Sequence, residues 1–147
     1  MRIASRFSIA VHILTLLGSG GFGSNTSEEM ADSIGVNPVI VRRITGMLKR
    51  AGIVSAQQGV AGTRLARPIS RITLLDVHLA VEGQGELFAA HLHPNPNCPV
   101  GIGIQSVLDN VFVDARRAME AKLAEKTIAN LLDEMHIKPS PEVLALE

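Results

Sequence analysis

Residues 91–101, HLHPNPNCPVG, hold the chain's single cysteine, two of its five histidines and three of its seven prolines. Three chemistries are open to such a cluster. A zinc site usually takes four protein ligands when structural and three when catalytic. His91, His93 and Cys98 supply three, but Pro94, Pro96 and Pro99 keep the segment extended and no fourth ligand is evident, so no metal is expected. A cysteine near a helix N-terminus can have a lowered pKa and react as the thiolate. That makes Cys98 the candidate sensor residue. With no second cysteine nearby, its oxidation would give a sulfenic acid, a mixed disulfide or a link to another protomer. The third possibility is a connecting loop that binds a small effector or nothing. Acid–base work by His12, His78, His91, His93 or His136 has no support. None sits in a recognisable nucleophile, phosphate-loop or metal-pair spacing, so no catalytic residue is assigned and no enzyme is expected.

The elements that must position this cluster follow from composition and punctuation. A chain of 147 residues with 46% hydrophobic side chains has room for one ordinary domain plus an attachment. A lone cysteine excludes an intramolecular disulfide framework and suggests a reducing, cytoplasmic setting. No segment reaches the ~20 apolar residues of a membrane span. The opening MRIASRFSIAVHILTLLGSGG mimics a signal peptide, but Ser8, His12 and Thr15 interrupt its apolar run. Ile3, Phe7, Ala10, Val11, Leu14 and Leu17 share one helical face, which predicts a mature first helix. Net charge is zero, yet nine basic against three acidic side chains give residues 1–71 a charge of +6 and leave the remainder at −6. This asymmetry is the pattern of a nucleic-acid-facing half joined to an assembly half.

Within NTSEEMADSIGVNPVIVRRITGMLKRAG, Thr26 and Glu29 form a capping box that starts a short helix, and Gly35 suits the left-handed conformation that ends it. Asn37 is a good N-cap and Pro38 fits the first position of a second helix, which should stop at Gly52. Two short helices joined by a glycine-bearing turn describe a helix-turn-helix. Val41, Ile44 and Leu48 pack the second helix inward, while Val39, Arg42, Arg43, Gly46 and Arg50 face outward. Arginines on such a face can bind phosphates or the O6/N7 edge of guanine in a major groove. The expected double-stranded DNA contacts are Asn37, Pro38, Val39, Arg42, Arg43 and Arg50. Two strands, at about 53–57 and 63–66, follow around a glycine-bearing loop as a wing. Gln57, Gln58 and Arg64 there can reach phosphates or the minor groove. Thr73 and Asp76 then cap a short helix that ends before Gly83, and His78 within it reads as a packed or surface histidine.

The run LKRAGIVSAQQGVAGTRLARPISRITLLDVHLAVEG, residues 48–83, resembles the Rrf-two family of bacterial winged-helix regulators. That family includes regulators of iron–sulfur cluster assembly, nitric oxide response and cysteine metabolism. The resemblance runs from the first helix to about residue 135. It implies a homodimeric, sequence-specific transcription factor, commonly a repressor, on a roughly palindromic operator. Cluster-bearing members carry three cysteines separated by five residues each before the long helix. If Cys98 takes the last of those positions, the others fall at Glu86 and Leu92. No cluster or other cofactor is therefore expected. The wing also reads Ala61-Gly62-Thr63 where many relatives have two glycines and an aromatic residue.

After residue 101, Ile104, Val107, Leu108, Val111, Ala115, Ala118, Met119 and Leu123 follow helical spacing, with Phe112 on the flank. A helix ~30 Å long needs a partner beyond so small a domain. Ile104, Leu108, Val111, Ala115 and Met119 are thus the candidate dimer interface. Thr127 starts a last short helix carrying Ile128, Leu131, Leu132 and Met135, expected to fold back on the long one. HIKPSPEVLALE, from His136, predicts a mobile tail. The fold class is mainly α with a small β wing (α+β). Residues 1–83 form a winged helix-turn-helix domain, 84–101 a connecting or sensor loop, 102–136 the dimerisation helices and 137–147 the tail. Membrane association is not expected. The alternatives are a protein-only interaction module without DNA binding, separable by salt dependence, and a metal-sensing regulator.

Overall fold

The computed structural model describes residues 3–20, 23–85, 87–88 and 93–147. Helix α1 (Ile3–Gly18) is the central post: of its predicted face Ala10, Leu14 and Leu17 are buried and Phe7 and Val11 half-buried, and Ile13, outside that face, is fully buried as well. The side chain of Ile3, assigned to the same face, lies outside the described residues.

Helix α2 (Ser27–Ile34) begins at the predicted capping box. Thr26 Oγ1 accepts from Glu29 N–H at 3.3 Å, and Thr26 N–H donates to Glu29 Oε2 at 3.1 Å. Gly35 ends it at φ 78°, a conformation that glycine adopts without penalty, and donates to Ala31 O at 2.8 Å. The chain thereby turns at once into helix α3 (Pro38–Arg50), where Asn37 Oδ1 accepts from Val39 N–H at 2.9 Å. Val41, Ile44 and Leu48 bury fully against α1, α2 and helix α4 (Leu74–Val81).

The wing is shorter than its apolar pattern suggests. Strands β1 (Val54–Ser55) and β2 (Arg64–Leu65) pair antiparallel through Val54–Leu65 and Ser55–Arg64 only. The ladder stops because the next backbone donor goes elsewhere. Thr63 N–H reaches Asn25 O at 3.1 Å, which seats the wing on the loop before α2. A 3-10 turn (Ile69–Arg71) leads to α4, whose own capping box joins Thr73 and Asp76 with both hydrogen bonds at 3.0 Å. Leu79 of α4 is among the exposed large hydrophobic side chains.

Helix α5 (Pro99–Ala124) starts three residues earlier than its periodicity suggests, because Pro99 can hold the first helical position, and it runs for 26 residues. At ~1.5 Å per residue it is about 39 Å long, and none of its residues is buried. Beyond it the expected arrangement is corrected. Helix α6 (Ile128–Glu134) packs on α1 and the 3-10 turn instead of folding back on α5. Ile128 and Leu132 are fully buried there, Ile128 N–H donates to Ile72 O at 2.9 Å, and Leu74 N–H donates to Lys126 O at 2.8 Å. These contacts put α6 into the core of the winged domain, not into a separate dimer unit.

The segment expected to be a mobile tail is also docked. Ser140 caps helix α7 (Pro141–Leu144) by accepting from Val143 N–H at 3.2 Å, and Ser140 N–H donates to Gly18 O at 3.2 Å. Val143 is buried, and the Glu147 carboxylate accepts from Ser70 Oγ and from Ser70 N–H. The described core is aliphatic throughout, with no buried polar or charged residue.

Candidate nucleic-acid interface

Burying Val41, Ile44 and Leu48 turns the opposite side of α3 outward. Asn37, Val39, Arg42, Arg43, Lys49 and Arg50 are exposed there, Pro38 and Gly46 half-buried. Asn37 already accepts one bond at its cap through Oδ1, which fixes the side chain in place. Gly46 keeps the middle of this face low, and the Arg50 guanidinium passes 3.7 Å from where a Cβ would stand. Arg42 Nη1 donates to Glu28 Oε1 at 2.7 Å across the two helices. Among the described residues Arg43, Arg50 and Arg64 make no ion pair, leaving their charge available to a polyanion.

The wing packs on α3 through β1, and its Gln57, Gln58 and Arg64 are exposed. Its position depends on Gly62, at φ 97°, where an added Cβ would come within 1.7 Å of Ser24 O. Only glycine permits that approach, and the Thr63–Asn25 hydrogen bond follows from it. Three features escaped the sequence pattern: Lys49 at the end of the basic face, the Ser24–Asn25 seat of the wing, and Glu28 against Arg42. Glu28 was visible only as one of three acids in a basic half.

The candidate sensor segment sits at the start of α5. Cys98 is half-buried at the N-cap without a side-chain capping bond, and its N–H donates to Asn95 O at 3.1 Å. His93 is exposed at φ 64°, while His91, Glu86 and Leu92 lie outside the described residues. Among the described residues no three His, Cys, Asp or Glu side chains are grouped to hold a metal ion. On α5, Val100, Ile102, Val107 and Val111 are each at least 54% exposed. Ala115 is exposed as well, and Ile104, Leu108 and Met119 are half-buried. Phe112 stacks on Phe88 at 4.7 Å on the flank of the helix. His78 packs edge-on to Phe7 at 5.8 Å, the first of the two roles, packed or surface, expected of it.

A family model described as Rrf2, iron-dependent transcriptional regulator, matches residues 3–134. The chain belongs to the Rrf2 family. It is similar to YwnA of Bacillus subtilis strain 168, named as an HTH-type transcriptional regulator, at 44% identity over 133 residues, 90% of this chain and 98% of that one. A crystal structure of a protein described as DNA-binding aligns with TM-score 0.72 at 39% identity, covering 86% of this chain and 98% of the other. The oxidised form of CymR from Staphylococcus aureus shares the fold, with TM-score 0.65 at 18% identity over 89% of this chain and 95% of its own. This Rrf2-family chain is thus a DNA-binding transcriptional regulator and not an enzyme, with a mainly helical winged fold. The family's description as iron-dependent meets a donor set that does not fit a three-thiolate site, since Cys98 is the single cysteine of the chain. Among the described residues no helix is long and apolar enough to cross a membrane.

Proposed function

We propose that this protein is a cytoplasmic homodimeric repressor that reads a palindromic operator with α3 and steadies itself with the wing. The observation that carries the reading is the row of exposed basic side chains on α3, with Arg43 and Arg50 uncompensated, directly opposite its buried Val41, Ile44 and Leu48. On this reading Asn37, Pro38 and Val39 lie at the entry of the helix into the major groove, and Arg42, Arg43 and Arg50 run along it. Gln57, Gln58 and Arg64 reach the backbone or minor groove beside it.

Dimerisation is supported by α5, none of whose 26 residues is fully buried within its own chain although valines and isoleucines line it. Pairing about a two-fold axis brings twin α3 helices ~34 Å apart, one DNA turn. A redox or small-molecule signal acts on the segment before α5, with Cys98 as the sensing residue, and no thiolate-held cluster takes part. The test is selection of duplexes from a randomised pool by the native protein, followed by sedimentation of protein and complex. The expected result is an enriched inverted repeat bound by two protomers. Enrichment of no sequence, or a monomer at micromolar concentration, contradicts the reading.

A further inference from the structure

Arg42 differs from the other arginines of α3 in being held by a carboxylate. Glu28 Oε1 takes Nη1 at 2.7 Å, with the two side chains 53% and 66% exposed for Arg42 and Glu28 respectively. An ion pair so open to solvent adds little to stability, so stability is a poor reason for an acid at the centre of a basic face. Its placement is nonetheless firm. Glu28 stands in the first turn of α2, where an acid is favoured by the helix dipole and where the Thr26–Glu29 capping box fixes the backbone. Gly35 and the buried Met30, Ala31, Val41 and Ile44 then fix α2 against α3.

The guanidinium is planar, with five donors in a fixed fork. Holding it by Nη1 leaves the Nε–Nη2 edge, which among the described residues donates to nothing. Two parallel donors of that kind match O6 and N7 of guanine. The same carboxylate cancels much of the Arg42 charge in the free protein and repels phosphate oxygens. A base edge is therefore a better partner for the held arginine than the DNA backbone.

We infer that Glu28 is a specificity-determining positioning residue, which holds Arg42 for a guanine edge and keeps it from serving as a phosphate contact. The inference rests on the proposed entry of α3 into the major groove. Its test is a double-mutant cycle in the full chain: wild type, Glu28→Ala, Arg42→Ala and the double variant. Each is titrated by fluorescence anisotropy against the duplex selected by wild type and against a scrambled duplex, from about 50 to 200 mM salt.

The expected result for Glu28→Ala is a gain of about fivefold on the scrambled duplex and none on the selected one. The salt slope on the scrambled duplex steepens by ~0.9 per protomer as Arg42 turns to phosphate. In the Arg42→Ala background the same change leaves the ratio of selected to scrambled affinity untouched. An equal shift on both duplexes, or the same change of ratio without Arg42, overturns the inference while leaving the DNA-binding reading in place. A wild type that enriches no duplex overturns that reading and the inference together.

Discussion

Replacing Gly62 by alanine strikes the point where the wing meets the loop before α2. The added Cβ falls 1.7 Å from Ser24 O and 3.0 Å from Ser24 C, both backbone atoms that no rotamer change can clear. The residue must also hold φ 97°, which costs an L-residue roughly 1–2 kcal/mol. Relief of the clash requires the wing to lift and break the 3.1 Å bond from Thr63 N–H to Asn25 O, whose net loss costs about 0.5–1.5 kcal/mol. The two contributions together predict a loss of about 2–4 kcal/mol. At roughly 2–4 °C per kcal/mol for a domain of this size, the melting temperature drops by about 5–15 °C. Gly59→Ala is the internal control, because Gly59 also has positive φ but nothing lies within 4 Å of its added Cβ. It should lose only the conformational part, about 1 kcal/mol. Thermal unfolding followed by circular dichroism measures both. Equal losses for the two variants, or a Gly62→Ala protein as stable as wild type, would refute the seating of the wing on Ser24 and Asn25.

Leu132→Ala should cost about 2–5 kcal/mol in urea unfolding, because this fully buried side chain of α6 fills the space over Gly18 and the 3-10 turn. A loss below 1 kcal/mol would remove α6 from the core. Val143→Ala should cost about 1–2 kcal/mol in the same assay, since two methyl groups leave a buried site; an unchanged midpoint would mean that α7 does not dock. Val111→Glu on α5, 54% exposed in the single chain, should leave protomer stability within about 0.5 kcal/mol but convert the dimer to monomer in sedimentation. An intact dimer with that charge would move the interface elsewhere.

The helix-turn-helix was legible because its signals are local. Thr26 with Glu29, Gly35, Asn37 and Pro38 each dictate backbone geometry within four residues, and the structure shows every one of them in that role. The outward face of α3 followed from the inward one. The strands of the wing were over-read because their apolar alternation says nothing of where the ladder yields to another acceptor, here Asn25 O. Ile128, Leu131 and Leu132 announced that α6 needs a partner but could not name it. The partner is α1, more than a hundred residues earlier, and Gly18 is where the two come close. In the last segment Pro139 and Pro141 read as helix breakers, whereas Ser140 followed by Pro141 is also an N-cap and first-turn signal. One buried valine in a single turn of helix leaves no periodicity to detect. Glu28 was hidden for the opposite reason, since its meaning lies in the distance to Arg42 and not in its neighbours in the chain.

The most direct test of the central claim is the affinity of the dimer for its selected duplex as salt rises from about 50 to 200 mM, measured for wild type and Arg43→Ala. If α3 meets DNA with its arginines, wild-type affinity falls by orders of magnitude over that range. Arg43→Ala should bind more weakly with a slope shallower by ~0.9 per protomer, its melting temperature unchanged. An affinity indifferent to salt, or an Arg43→Ala protein that binds as wild type does, would contradict the assignment of this face to DNA.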